Sequence, residues 1–130
     1  MLTYIHQNVE VLRLKAIRGA TFIKEDSYVE IERATLELMK KIYSRNSLGD
    51  EEVVSVIFSV TKDLRSMNPA TIFRKSGHDD VPLMCFQEAD FTGAPQKVLR
   101  VLVLTSREKD STVFNVYDGA EILKNWRWKV

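Results

Sequence analysis

The hydrophobic pattern of this 130-residue chain predicts an α+β fold, a mixed five-stranded sheet with two helices on one face. Three observations lead there. The chain opens with period-two alternation and follows it with a long run of helical period. Most of its second half then lies in short β-branched segments parted by single glycines, prolines and Asx residues. No internal repeat, low-complexity tract or Pro/Gly/Ser linker interrupts it, so one domain over residues 1–130 is expected.

The first strand is expected over residues 9–18, with Leu12, Leu14, Ala16 and Arg18 on one face and Gly19 as its end. Ser27-Tyr28-Val29-Glu30 has the form of a capping box. Behind it Ile31, Ala34, Leu38, Met39 and Ile42 recur at helical spacing, which predicts a helix over residues 28–45. Asn46, Ser47 and Gly49 supply its stop signals. The β-branched run at residues 53–61 reads as the second strand. A shorter helix should take Asn68 as cap and Pro69 in its first turn, and run through Phe73 and Arg74 to Gly77. Further strands are expected at residues 81–87, at 97–105, and from Thr112 past the Asp118-Gly119 break to Leu123. Two helices cover only one face of such a sheet. Residues 98–104 are apolar at both parities, so the uncovered face is expected to meet another subunit.

Composition narrows the chemistry. Lys and Arg number 19 against 18 Asp and Glu, a net charge of +1, so no global basic field exists to draw in nucleic acid or anionic lipid. Any anion must be captured locally. The single cysteine, Cys85, excludes an internal disulfide and a cysteine-based metal cluster, and fits a reducing cytosol. The first ten residues lack the basic-then-apolar order of a secretory signal, and no apolar run is long enough to cross a bilayer, so a cytoplasmic protein with no membrane partner is expected. His6 and His78 stand at neither metal-ligand nor triad spacing, and no metal site is expected. A Gly-rich phosphate loop, a Ser/His/Asp arrangement and a carboxylate pair at helical spacing are all missing from the sequence.

What remains is a set of arginines, one glutamate and one tyrosine near strand ends. Arg18, in register with Leu12, Leu14 and Ala16, is either carried toward the apolar side of its strand or turned to solvent at the strand end; pattern alone leaves both open. Arg100 interrupts an apolar strand whose neighbours on both faces are apolar, so it must face a carboxylate, a cavity or a ligand. Glu88, closing the strand before it, is the nearest negative partner, and a salt bridge alone would explain both. Tyr117 ends another apolar strand, where a half-buried ring with a wet hydroxyl is the common outcome. Cys85, at mid-strand, reads as a small buried hydrophobe before it reads as a nucleophile. Such a toolkit suits holding an organic polyanion and stabilising charge without proton shuttling.

Five ordered segments resemble the monofunctional AroH-type chorismate mutases. Ile17-Arg18-Gly19-Ala20-Thr21 looks like that family's opening signature, and Ser59-Val60-Thr61-Lys62-Asp63-Leu64 is similar to its Ser-Ala-Thr-x-Asp-Leu turn. Pro69-Ala70 followed by Arg74 resembles the family's second helix. Val81-Pro82-Leu83-Met84-Cys85-Phe86-Gln87-Glu88 matches a Val-Pro-x-x-Cys-x-Gln-Glu strand, and Thr92-Gly93 leads into Leu99-Arg100-Val101 before Val116-Tyr117. The likeness spans residues 14–123.

The resemblance implies an enzyme that converts chorismate to prephenate, on the route to phenylalanine and tyrosine, with no cofactor or metal. It also implies a homotrimer whose active sites lie in clefts between adjacent subunits. Carried over position by position, Arg100 would sit at the ether oxygen, Arg18 and Tyr117 would bind a substrate carboxylate, and Arg74 would lie near the same cleft. The stretch from Met84 to Glu88 would line the pocket, with Cys85 and Glu88 facing the ring hydroxyl. Three departures stand out: Asn68 replaces an aromatic residue, Thr71 replaces a lysine of the pocket rim, and residues 124–130 form a divergent tail in which Lys124 stands in for an arginine. Residues 1–11 are an extension without family counterpart, either a packing arm or disordered. A non-catalytic trimeric relative that binds an aromatic-pathway carboxylate is the alternative reading.

Overall fold

The computed structural model describes residues 12–125; the extension at 1–11, with the start expected for the first strand, and residues 126–130 of the tail lie outside them. Strand β1 (Leu12–Phe22) leads through helix α1 (Tyr28–Asn46) and a 3₁₀ turn at Asp50–Glu52 into β2 (Val53–Val60). Helix α2 (Pro69–Lys75), β3 (Leu83–Gln87), β4 (Val98–Glu108), β5 (Val116–Asp118) and a closing 3₁₀ turn at Glu121–Asn125 follow. The strands form one mixed sheet in the order β3-β2-β4-β1-β5, with β4 antiparallel to both β2 and β1, and the outer strands β3 and β5 parallel to their neighbours. The α+β class, the five strands and the two helices on one face are as expected.

Local chemistry explains the boundaries. Ser27 Oγ accepts the N–H of Glu30 at the start of α1, while the Glu30 carboxylate turns to Arg33 at 2.7 Å instead of closing the second half of a capping box. Ser47 closes the helix at φ 50°, in the left-handed region. Asn46 does more than stop α1: buried, it donates to the Ile42 and Phe114 carbonyls and accepts the Phe114 N–H, so it ties the helix end to the segment before β5. Asn68 caps α2 by accepting the Ala70 N–H at 2.9 Å, and Pro69 follows at the first turn.

Several boundaries differ from expectation: β3 starts at Leu83 and not at 81, β4 runs to Glu108 and not to 105, α2 ends at Lys75 before Gly77, and two more ends have a clear cause. The final strand is expected over residues 112–123, but β5 holds only Val116–Asp118: ahead of it Asn46 takes the Phe114 N–H and carbonyl, and behind it Gly119 turns the chain at φ 68° into the 3₁₀ turn. Gly19 does not end β1, which continues three residues further to Phe22. Its bare α-carbon serves close packing: a β-carbon there would lie 2.6 Å from Ile42 Cδ1 and 3.0 Å from Val101 Cγ1. Both neighbours are in the core, so Gly19→Ala is expected to push the Ile42 and Val101 side chains out of their packing and cost about 1–3 kcal/mol, read as a lower thermal midpoint.

The core lies between that inner face and the helices. Ile31, Leu38, Met39 and Ile42 of α1 and Ile72 and Phe73 of α2 pack on Ile17, Val56, Phe58, Val101 and Val103. Among the described residues no helix covers the opposite face. Along it the register aligns Met84, Ile57, Leu102 and Arg18 in one row, with Leu104 beside Ala16 in the next. Leu14 and Met84 on this face are 65% and 57% exposed, a broad apolar surface that a soluble monomer rarely presents.

Candidate active site

The uncovered face also carries the polar exception. One row across the sheet reads Phe86, Ser59, Arg100, Ala20, Tyr117, so the central strand delivers a guanidinium between two small neighbours. Serine and alanine leave room beside it. The result is a recess of about 520 Å³ into which Arg18, Glu88, Arg100, Tyr117 and Lys124 all project, with Phe91 and Pro95 of the β3–β4 loop on its rim.

Arg100 and Glu88 hold each other. Arg100 donates from Nε to Glu88 Oε2 at 2.5 Å, and Glu88 Oε1 accepts from Ser59 Oγ at 2.9 Å. The Glu88 backbone stays on the ladder beyond β3, donating to the Val60 carbonyl at 2.8 Å. Arg18 lies on the solvent side of β1, which settles its two open placements: it points away from the core yet shares the recess. Its backbone N–H donates to Asn115 Oδ1 at 2.8 Å. Tyr117 rides on the short β5, which Lys41 anchors by a 2.7 Å pair to Asp118 and Thr21 by a hydrogen bond to the Asp118 carbonyl. With three cations against one carboxylate, the recess carries a surplus of positive charge, an arrangement chemically suited to an organic anion.

Three expected site residues stand elsewhere. Cys85 alternates with Met84 and Phe86, so it turns to the helix side and lines a second hollow of about 590 Å³ at the β3 edge, together with Thr61, Lys62, Arg65 and Asn68. Within one chain Cys85 and Glu88 therefore do not face a common point. Met84 is exposed on the uncovered face outside the recess, and Arg74 is exposed on α2. Burial pushes the Cys85 thiol up from its ordinary value, so at neutral pH it is a neutral hydrogen-bonding group and not a thiolate. Alkylation by iodoacetamide is expected to run slower than that of free cysteine at the same pH. Ser59 and Lys124 complete the recess, and neither is among the expected site residues. Ser59 heads the family-like turn, but its reach to Glu88 shows only when the strands are aligned, whereas the tail lysine stands out as a departure from pattern.

Comparison with known proteins settles the family. The profile described as chorismate mutase type I matches residues 14–125, most of the chain. The chain belongs to the type I chorismate mutase family. Among its relatives are the chorismate mutase AroH of Bacillus subtilis, 39% identical over 71% of this chain and 73% of that protein, and the AroH of Thermus thermophilus, 40% identical over 70% and 75%. A solved chorismate mutase from Clostridium thermocellum superposes with a TM-score of 0.79 at 36% identity, covering 83% of this chain and 98% of that one. The type I chorismate mutase sheet is thus the one seen here. No helix among the described residues is long and apolar enough to cross a membrane.

Proposed function

We infer that this protein is a chorismate mutase, an isomerase that rearranges chorismate to prephenate for aromatic amino acid biosynthesis. The observation that carries the reading is the Glu88-held guanidinium of Arg100 in a recess otherwise lined by Arg18, Lys124 and Tyr117. The reaction is an intramolecular Claisen rearrangement: one carbon–oxygen bond breaks as one carbon–carbon bond forms, and no acid, base or nucleophile is required. The protein must select the compact diaxial conformer and stabilise negative charge that grows on the ether oxygen. Arg18 and Tyr117 bind a carboxylate, with Lys124 adding charge at the rim. Arg100 bonds Glu88 through Nε, which directs its terminal amino groups to the ether oxygen.

The placement of Cys85, Met84 and Arg74 away from the recess supports the family's trimeric assembly. In our reading the β3-edge hollow of one subunit closes over the recess of its neighbour, so that Cys85 of one chain and Glu88 of another flank the same ring hydroxyl. The exposed apolar face supplies the contact surface. The lone thiol fits a cytoplasmic location.

Adding chorismate to the purified protein and following the loss of its diene absorbance tests the activity. Turnover well above the uncatalysed rate is expected. A folded trimer that binds chorismate without consuming it would leave the non-catalytic reading, which nothing in the recess favours.

A further inference from the structure

The Ser59-x-Thr61-x-Asp63 turn has no task in the chemistry above, yet Thr61 and Asp63 spend their side chains on the start of the strand that bears Arg100, and Ser59 spends its hydroxyl on the carboxylate that Arg100 bonds. Thr61 Oγ1 accepts the Val98 N–H at 3.0 Å, and the Thr61 N–H donates to the Val98 carbonyl at 3.1 Å. The Asp63 carboxylate accepts the Lys97 N–H at 3.0 and 3.3 Å, where Lys97 is held at φ 55°, a left-handed conformation that a lysine rarely adopts. These contacts fix where β4 begins. Ser59 stands directly opposite Arg100 and holds the far oxygen of the carboxylate that Arg100 grips.

We propose that Ser59 is a positioning residue that acts through Glu88 on Arg100; the proposal rests on the chorismate mutase reading for its catalytic consequence. A glutamate side chain has three rotatable bonds, and a single bond to Nε would let its carboxylate swing and carry the guanidinium with it. The hydroxyl of Ser59 pins Oε1 and the backbone bond to Val60 pins the residue, which together fix the plane of the carboxylate and the place of Oε2. The plane of the Arg100 fork, and so the direction of its terminal amino groups, is thereby set before substrate arrives. A hydroxyl suits this place because it orients a carboxylate without adding a charge beside the recess.

The test uses the full chain and two readouts. Ser59→Ala should lower kcat about tenfold with KM changed less than about twofold, the pattern of a lost orientation and not of lost binding. In ¹⁵N-labelled protein the Arg100 Nε–H resonance, assigned by its loss in Arg100→Lys, should shift in Ser59→Ala. Ser59→Thr, which keeps the hydroxyl, should restore both, and unchanged far-ultraviolet dichroism in Ser59→Ala excludes misfolding as the cause. An unmoved Arg100 resonance overturns the proposal whatever the activity. So does an unchanged kcat in Ser59→Ala when the wild type is active. If the wild type turns over no chorismate, the functional reading fails by itself, and the resonance alone decides whether the relay exists.

Discussion

Substituting lysine for Arg100 is expected to slow chorismate turnover by about two orders of magnitude, equivalent to roughly 3 kcal/mol in the barrier. The charge survives this change, so the loss measures geometry. Arg100 uses Nε for Glu88 at 2.5 Å, and in the proposed site its terminal amino groups serve the ligand, two tasks that one planar fork can perform together. An ammonium is a point charge on a flexible stem. Drawn toward Glu88, it leaves the ether oxygen; drawn toward the oxygen, it leaves Glu88 unpaired in a half-buried site. Arg100→Ala should lose at least as much. The side chain contributes little to the core behind β4, so melting should change far less than rate. Initial rates at saturating chorismate, set beside a thermal melt, give both numbers, and undiminished turnover by the lysine variant would remove Arg100 from the reaction.

A charge at the middle of the uncovered face should act at a distance. Leu104→Asp is expected to separate the subunits and abolish turnover while each chain stays folded. Leu104 is half-buried on the face opposite the helices, between Ala16 and Ser55, so a lone chain can solvate an aspartate there. In the assembly the same carboxylate would be taken from water without a partner, at a cost of several kcal/mol for each subunit. Dissociation follows from that sum. Light scattering coupled to size exclusion reads the mass, circular dichroism reads the fold, and the diene absorbance reads activity. A wild type that runs as a monomer, or a Leu104→Asp protein that remains an active oligomer, would refute the shared-site reading.

Much of this was visible in the residues. Helix α1 announced itself through Ser27, Glu30 and the spacing of Ile31 to Ile42, because capping and helical period act within a few residues of each other. Asn68 and Pro69 did the same for α2. The apolar parity of β4 predicted an unpartnered face before any pairing was known. Non-local effects escaped. Gly19 looks like a strand end because glycine ends strands, and only the approach of Ile42 from α1 shows why it is bare. The expected final strand lost one end to the turn at Gly119 and the other to Asn46, which takes both backbone groups of Phe114. Side-chain direction was the harder loss. Cys85 and Glu88 stand three residues apart, opposite parities in a strand, yet the family resemblance assigns both to one ligand; a neighbouring subunit reconciles them in the assembly proposed here. Ser59 met Glu88 only once three strands were set in register.

Arg100 stands on the middle strand of five, whereas Tyr117 and Lys124 come from the outermost strand and the turn beyond it. Amide exchange beside Arg100 should therefore await global unfolding, while the outer wall can fray at far lower free energy. Product can depart through that wall with the electrostatic floor left undisturbed, and the next molecule meets a catalyst that needs no reassembly.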